Sequence, residues 1–149
     1  MKINVFLNSS QNTNGETAKL AQKFFDGEPY QTYNLIDYHI DQLGQVTNQD
    51  QFTELALQLK KVDIIAIGTP IYWNDMTGSL KTWLDRHRLV SDIYRDKKTV
   101  ILAQGSNPDN SEVFRSINHV FETFTNRFSM RYCGIVTPTK VANKNITTI

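Results

Sequence analysis

The chain has a single cysteine, Cys133, among 149 residues. That excludes an internal disulfide framework and any multi-cysteine zinc or iron-sulfur site. No stretch approaches the roughly 20 apolar residues of a membrane span, and the opening Met1-Lys2-Ile3-Asn4-Val5-Phe6-Leu7 is too short for a signal peptide, so a cytoplasmic protein is expected. The triplets Asn8-Ser9-Ser10 and Asn145-Ile146-Thr147 are then chance matches to the glycosylation pattern. Neither sign of charge prevails: 16 Lys and Arg against 15 Asp and Glu leave a net +1, which offers no electrostatic case for nucleic acid or an anionic membrane. A Walker loop and a G-x-G-x-x-G fingerprint are both missing, which argues against a triphosphate and a dinucleotide Rossmann site. The length suits one domain, 1–149, without internal repeats.

What is present centres on Val62 to Arg86, V-D-I-I-A-I-G-T-P-I-Y-W-N-D-M-T-G-S-L-K-T-W-L-D-R. Val62 to Ile67, closed by Gly68, is a short, mostly β-branched apolar run without polar alternation, the pattern of a strand buried on both faces. Thr69 and Pro70 are expected to break it. Two adjacent aromatics follow, Tyr72 and Trp73, and then a helix from Gly78 to His87 with Leu80, Trp83, Leu84 and His87 on one face. Loops at the carboxyl ends of strands form the ligand crevice of an open α/β sheet, and a proline with two aromatics suits a flat, partly apolar ligand.

The remaining elements repeat the alternation. A strand over Ile3–Leu7 runs into a polar loop, Asn8 to Glu16, and a helix over Glu16–Phe25. The free N–H groups and dipole of that helix start form a natural phosphate site, although the loop has no lysine or arginine. Further elements are expected over Tyr30–Leu35 (strand), Asp50–Lys61 (helix), Thr99–Gln104 (strand), Ser111–Phe128 (helix) and Met130–Val136 (strand). Together they predict an α/β fold, a doubly wound sheet of five parallel strands in the order 2-1-3-4-5. This order puts the Ser9 and Tyr72 loops side by side. Thr137 to Ile149 has poor helical periodicity, so the last helix is expected to be missing.

Gly68-Thr69-Pro70-Ile71-Tyr72-Trp73-Asn74, followed by Gly78-Ser79-Leu80-Lys81 and Asp85-Arg86, resembles the second flavin loop of the flavodoxin-like NAD(P)H-dependent FMN reductases, a group that includes iron-sulfur flavoproteins. The first loop resembles the family's glycine-serine-proline-arginine to asparagine-threonine motif: Ser9 falls on the serine, Gln11 on the arginine, Glu16 on the asparagine and Thr17 on the threonine. The resemblance spans Lys2 to about Val136. It implies a flavodoxin-like fold and FMN as cofactor. NADH or NADPH would be the hydride donor, and a quinone, a flavin or another small electrophile the electron acceptor. Ser9, Gln11, Glu16 and Thr17 would surround the phosphate, with the Glu16 backbone N–H rather than its carboxylate turned inward. Pro70, Ile71, Tyr72, Trp73 and Asn74 would hold the isoalloxazine, with Gly105 and Ser106 bordering the ring. No side chain need act as an acid or base. The missing last helix and the family's habit of building its pocket between subunits motivate a homodimer.

Other readings are weaker. Asp37, His39 and Asp41 alternate in a polar loop, which is far more often solvated surface than a metal site. A flavodoxin-type electron carrier would be strongly acidic. A phosphate-accepting receiver needs acidic residues where Asn8-Ser9 and Thr69-Pro70 stand. A non-enzymatic remnant of the fold is the remaining alternative. Cys133 is expected to be a small buried hydrophobe, Asp85-Arg86 to form an ion pair at a helix end, and His87 and His119 to have no role at the site.

Overall fold

The computed structural model describes residues 1–89, 92–105 and 111–149. Five strands alternate with four helices: β1 (Asn4–Asn8), α1 (Glu16–Phe25), β2 (Gln31–Asn34), α2 (Phe52–Leu59), β3 (Ile64–Pro70), α3 (Gly78–Asp85), β4 (Lys98–Gln104), α4 (Ser111–Arg127) and β5 (Arg131–Val136). All pairings are parallel and the order is β2-β1-β3-β4-β5, the doubly wound flavodoxin-like arrangement.

The apolar runs of β1, β3 and β4 form strands because both of their faces are covered. On one face Val5, Leu7, Ile65, Ile67, Ile101 and Ala103 meet the apolar stripes of α2, α3 and α4. On the other, Phe6, Ala66, Val100 and Leu102 meet Leu20, Ala21, Phe24 and Phe25 of α1. The predicted α3 stripe is buried as expected, with Leu80, Trp83, Leu84 and His87 all inside.

Three local departures have physical causes. β3 does not stop at Gly68 but runs through Pro70, which pairs with Gln104, because the sheet bond there is carried by the Ile71 N–H donating to the Gln104 carbonyl at 2.8 Å. β5 contains a bulge: Thr99 pairs with Tyr132 and Ile101 with Ile135, so β5 has one extra residue, accommodated by Gly134 at φ +85°. The segment after β5 has no helix, yet it covers α1. Val141 is buried there, Ile146 is partly buried, and the Ile146 N–H donates to the Phe24 carbonyl at 2.9 Å. The missing helix therefore gives no motive for a partner subunit on that face.

Arg86 does not pair with its neighbour Asp85, whose carboxylate takes Lys81 at 2.7 Å. Instead it reaches the loop before α2, where it forks onto Asp50 at 2.5 and 2.9 Å, donates to the Asp41 carbonyl at 2.7 Å and covers the Phe52 ring. Asp50 also accepts the Phe52 N–H at 3.2 Å at the start of α2, so one carboxylate fixes both the helix start and the loop. Arg86 holds that carboxyl down to a pKa of about 2.

Candidate cofactor site

β1 ends at Asn8, whose fully buried amide organises the loop that follows. Its Oδ1 accepts the Ser10 N–H at 3.0 Å, while its Nδ2 donates to the Asn12 carbonyl at 3.2 Å and to Asn34 Oδ1 at 3.0 Å. Ser10 Oγ then accepts the Asn12 N–H at 3.0 Å. Such side-chain bonds to nearby main chain set the turns of the loop. Asn8 is an organising residue that the motif comparison did not single out, and its only signal is an amide at the end of an otherwise apolar strand.

The consequence lies at the start of α1. Of the main-chain N–H groups from Gln11 to Ala18, only that of Asn12 finds a protein acceptor among the described residues. The remaining donors gather at the positive end of a helix, an arrangement that accepts an anion. Thr17 is buried against Gly68, and its hydroxyl has no protein partner among the described residues. Glu16 turns its carboxylate to solvent, where Lys19 meets it at 2.9 Å, so the side chain does not occupy the place an anion would take. The Gln11 side chain is exposed.

Ser9 joins this loop to the next one. Its N–H and its Oγ both donate to the Gly68 carbonyl, at 2.9 and 2.7 Å, and its own carbonyl accepts from Ser79 Oγ at 3.3 Å. Thr77 caps α3 by accepting the Leu80 N–H at 3.2 Å, and the Thr77 N–H is itself held by Thr69 Oγ1 at 3.2 Å. The two sequence motifs are thus adjacent and hydrogen-bonded to each other.

Between Pro70 and Thr77 the chain makes a two-residue hairpin that sequence reading missed. Tyr72 and Asp75 exchange both main-chain hydrogen bonds, at 2.9 and 3.1 Å, and the central residues Trp73 and Asn74 have φ of +51° and +62°. Asn-Gly is the usual signal for such a turn; a tryptophan at the first position hides it. The hairpin leaves Tyr72 41 % and Trp73 100 % exposed. Ile71 faces the β4 end, where a Cβ on Gly105 would lie 2.8 Å from Ile71 Cβ, so glycine lets the two loops approach closely. Ser106 lies outside the described residues.

A left-handed backbone costs a bulky residue about 1 kcal/mol or more, and Trp73 recovers none of it by burial in the free chain. Trp73→Gly is therefore expected to raise the stability of the free protein by up to about 1 kcal/mol, seen as a higher urea midpoint. A lower midpoint would mean that the indole is packed rather than displayed.

The other candidate residues serve local hydrogen bonding and packing. His39 meets Asp41 at 2.7 Å, but no group of three metal-ligating side chains occurs among the described residues. Cys133 is half-buried beside the bulge, and burial pushes its thiol pKa up, the opposite of what a nucleophile needs. His87 is enclosed by Trp83, Tyr94, Phe52, Phe124 and Phe128.

The sequence profile of the NADPH-dependent FMN reductases matches residues 1–137. The chain belongs to this family. A curated relative from Bacillus subtilis (strain 168), YwqN, named as a candidate NAD(P)H-dependent FMN-containing oxidoreductase, is 30% identical over 94 residues, covering 58% of this chain and 51% of the relative. The chain thus spans about half the length of that relative. Among solved structures, the Trp repressor binding protein from Bacillus subtilis superposes with a TM-score of 0.71 at 21% identity, over 90% of this chain and 81% of the other. An FMN-dependent NADH-azoreductase from Bacillus anthracis, solved with FMN, superposes with a TM-score of 0.69 at 13% identity, over 94% and 92%. At these identities the likeness establishes the fold. The Ser9–Thr17 and Gly68–Ser79 segments meet at the switch point between β1 and β3, where an open sheet of this order takes its ligand.

Proposed function

We propose that the protein binds FMN at the carboxyl edge of the sheet and acts as an NAD(P)H-dependent oxidoreductase toward a small-molecule acceptor such as a quinone or a free flavin. The observation that carries this reading is the row of unpaired N–H groups from Thr13 to Ala18, placed beside an aromatic hairpin that the Ser9 bonds hold in register. The donor set fits a phosphate: uncharged N–H groups and the Thr17 hydroxyl at a helix start, with the carboxylate of Glu16 drawn outward by Lys19. FMN, when bound, supplies the hydride chemistry that no protein side chain can provide. The chain's own part is to bind and orient. The first loop fixes the phosphate end, Pro70 to Asn74 flank the ring, and the main chain and amide around Asn74 offer donors to its polar edge. A homodimer fits the same reading, supported by the full exposure of Trp73.

The visible spectrum tests this. The purified protein, incubated with FMN and then freed of excess, is expected to retain a yellow chromophore that bleaches under anaerobic NADH or NADPH. Bleaching by dithionite alone would favour a one-electron carrier, and no retained or titratable flavin would end the reading.

A further inference from the structure

At the amino ends of β3, β4 and β5, Lys2, Arg95, Lys97, Lys98 and Arg131 line a cavity of about 340 Å³. The seven residues of β3, at about 3.3 Å each, put it roughly 20 Å from Pro70, so it is separate from the candidate cofactor site. Two carboxylates, Asp63 and Asp96, share the lining. Asp63 accepts the Ile3 N–H at 2.8 Å, and Arg95 is met by Asp92. The other four cations have no carboxylate within ion-pair distance among the described residues. Lys97 donates instead to the carbonyls of Lys60, at 2.7 Å, and Val62, and Lys98 to the main-chain oxygen of Ile149 at 3.0 Å. Burial pushes the Lys97 pKa down, which Asp63 opposes only in part, so an anion beside this ammonium would offset a desolvation cost the chain leaves standing. The cations are also carried on a fixed frame. The Lys98 N–H donates to the Asp63 carbonyl at 3.0 Å and the Arg131 N–H to the Lys97 carbonyl at 2.9 Å, and Lys98 and Arg131 share one register on neighbouring strands.

We infer that this cavity is a second ligand site and that it binds an oligophosphate, the chemistry shared by inorganic polyphosphate and the phosphate chain of a nucleotide. Cations contributed by the starts of β1, β4 and β5 suit a ligand whose negative charge is spread over neighbouring groups rather than held on one. The Arg131 guanidinium can fork onto two phosphate oxygens, while the lysines act as point charges. A cleft lined largely by one sign of charge concentrates such an anion even where each contact is weak. Its volume is that of a small-molecule site, which sets it apart from a flat protein interface. The inference is independent of the flavin chemistry proposed above.

The test is calorimetric titration of the protein, in the presence of excess FMN, with tripolyphosphate, ATP and orthophosphate at about 50 and 200 mM salt without divalent cations. Tripolyphosphate is expected to bind about tenfold tighter than orthophosphate or better, and to weaken at the higher salt. Arg131→Gln is expected to weaken it about tenfold and Lys2→Gln by a smaller factor, whereas Lys81→Gln, which removes the same charge from α3, leaves it unchanged. All three side chains are exposed, so the urea midpoints of the variants are expected to match the wild type. Tighter binding of ATP than of tripolyphosphate assigns the cavity to a nucleotide, and equal or weaker binding assigns it to the phosphate chain alone. The proposal is overturned if tripolyphosphate does not bind, binds no better than orthophosphate, or ignores both Arg131→Gln and Lys2→Gln. Tighter binding of a polyglutamate peptide overturns it as well, in favour of an acidic protein partner.

Discussion

Gly68→Ala is expected to cost about 3 kcal/mol and to remove flavin binding together with stability, because overfilling a packed core drives side chains off their rotamers and shifts backbone. A Cβ at this position would lie 2.4 Å from Phe6 Cε1, 2.7 Å from Thr17 Cγ2 and 2.9 Å from Phe6 Cζ. None of these can yield cheaply. Phe6 is held in the second core cluster between β1 and α1, and Thr17 sits in the first turn of α1, directly behind the unpaired N–H groups. The same residue's carbonyl accepts both Ser9 bonds. Relief of the clash must therefore push α1 or β1 away from β3 and part the Ser9 and Tyr72 loops. The check is a urea titration paired with FMN fluorescence quenching. An unchanged midpoint with intact quenching would refute the packing described for Gly68.

The second large effect is a loss of stability in acid that begins well above the usual carboxylate range. His87 is buried, with Nδ1 donating to the Trp83 carbonyl at 2.8 Å and Nε2 accepting from the Tyr94 hydroxyl at 2.9 Å. With the ring neutral, Nδ1 must carry the proton to meet a carbonyl, which leaves Nε2 to accept from the hydroxyl. Burial pushes its pKa down to about 4 from the ordinary 6.5. Between those values the unfolded chain binds a proton that the folded chain refuses, so stability falls as the pH drops from about 6.5 to 4, by about 3 kcal/mol in all. Asp50 continues the decline. Its folded pKa of about 2 lies below its ordinary 3.8, so the stability its pairing with Arg86 provides is present above pH 4 and lost as the pH falls through that lower window, by about 2 kcal/mol. The measurement is unfolding free energy against pH for the wild type and His87→Gln, which keeps hydrogen-bonding capacity but cannot titrate. The variant is expected to be less stable at pH 8 yet flat between pH 6.5 and 4. A slope that survives the substitution would place the titrating group elsewhere.

What could be read from residue order follows from where both faces of an element are committed. Val62 to Ile67 has no polar alternation because α1 lies on one side and α2, α3 and α4 on the other, and the same reason made the strand order legible. The helix over Glu16–Phe25 was legible to the residue, since Leu20, Ala21, Phe24 and Phe25 mark its buried stripe. The hairpin over 72–75 was not, because its left-handed positions hold Trp73 and Asn74 rather than glycine, and no local propensity outweighs that. The partner of Arg86 was also invisible: Asp50 lies 36 residues away, while Asp85 offers a nearer carboxylate that Lys81 takes. The Asn8 amide shows the same limit. Its role depends on three groups brought together by the loop it organises.

The bulge at Gly134 bears on how copies of this chain can meet. A regular outer strand presents evenly spaced donors and acceptors to which another chain can pair, the usual route to aggregation through sheet edges. At β5 the extra residue breaks that spacing, and Lys144 stands over the gap, its Nζ 2.8 Å from where a Cβ on Gly134 would be. At the opposite border β2 offers four residues, Gln31–Asn34, without an aliphatic side chain among them. Both borders of the sheet are poor templates for strand addition, so subunits would have to assemble through helix faces or the loop rim, where a concentration-driven polymer of sheets cannot start.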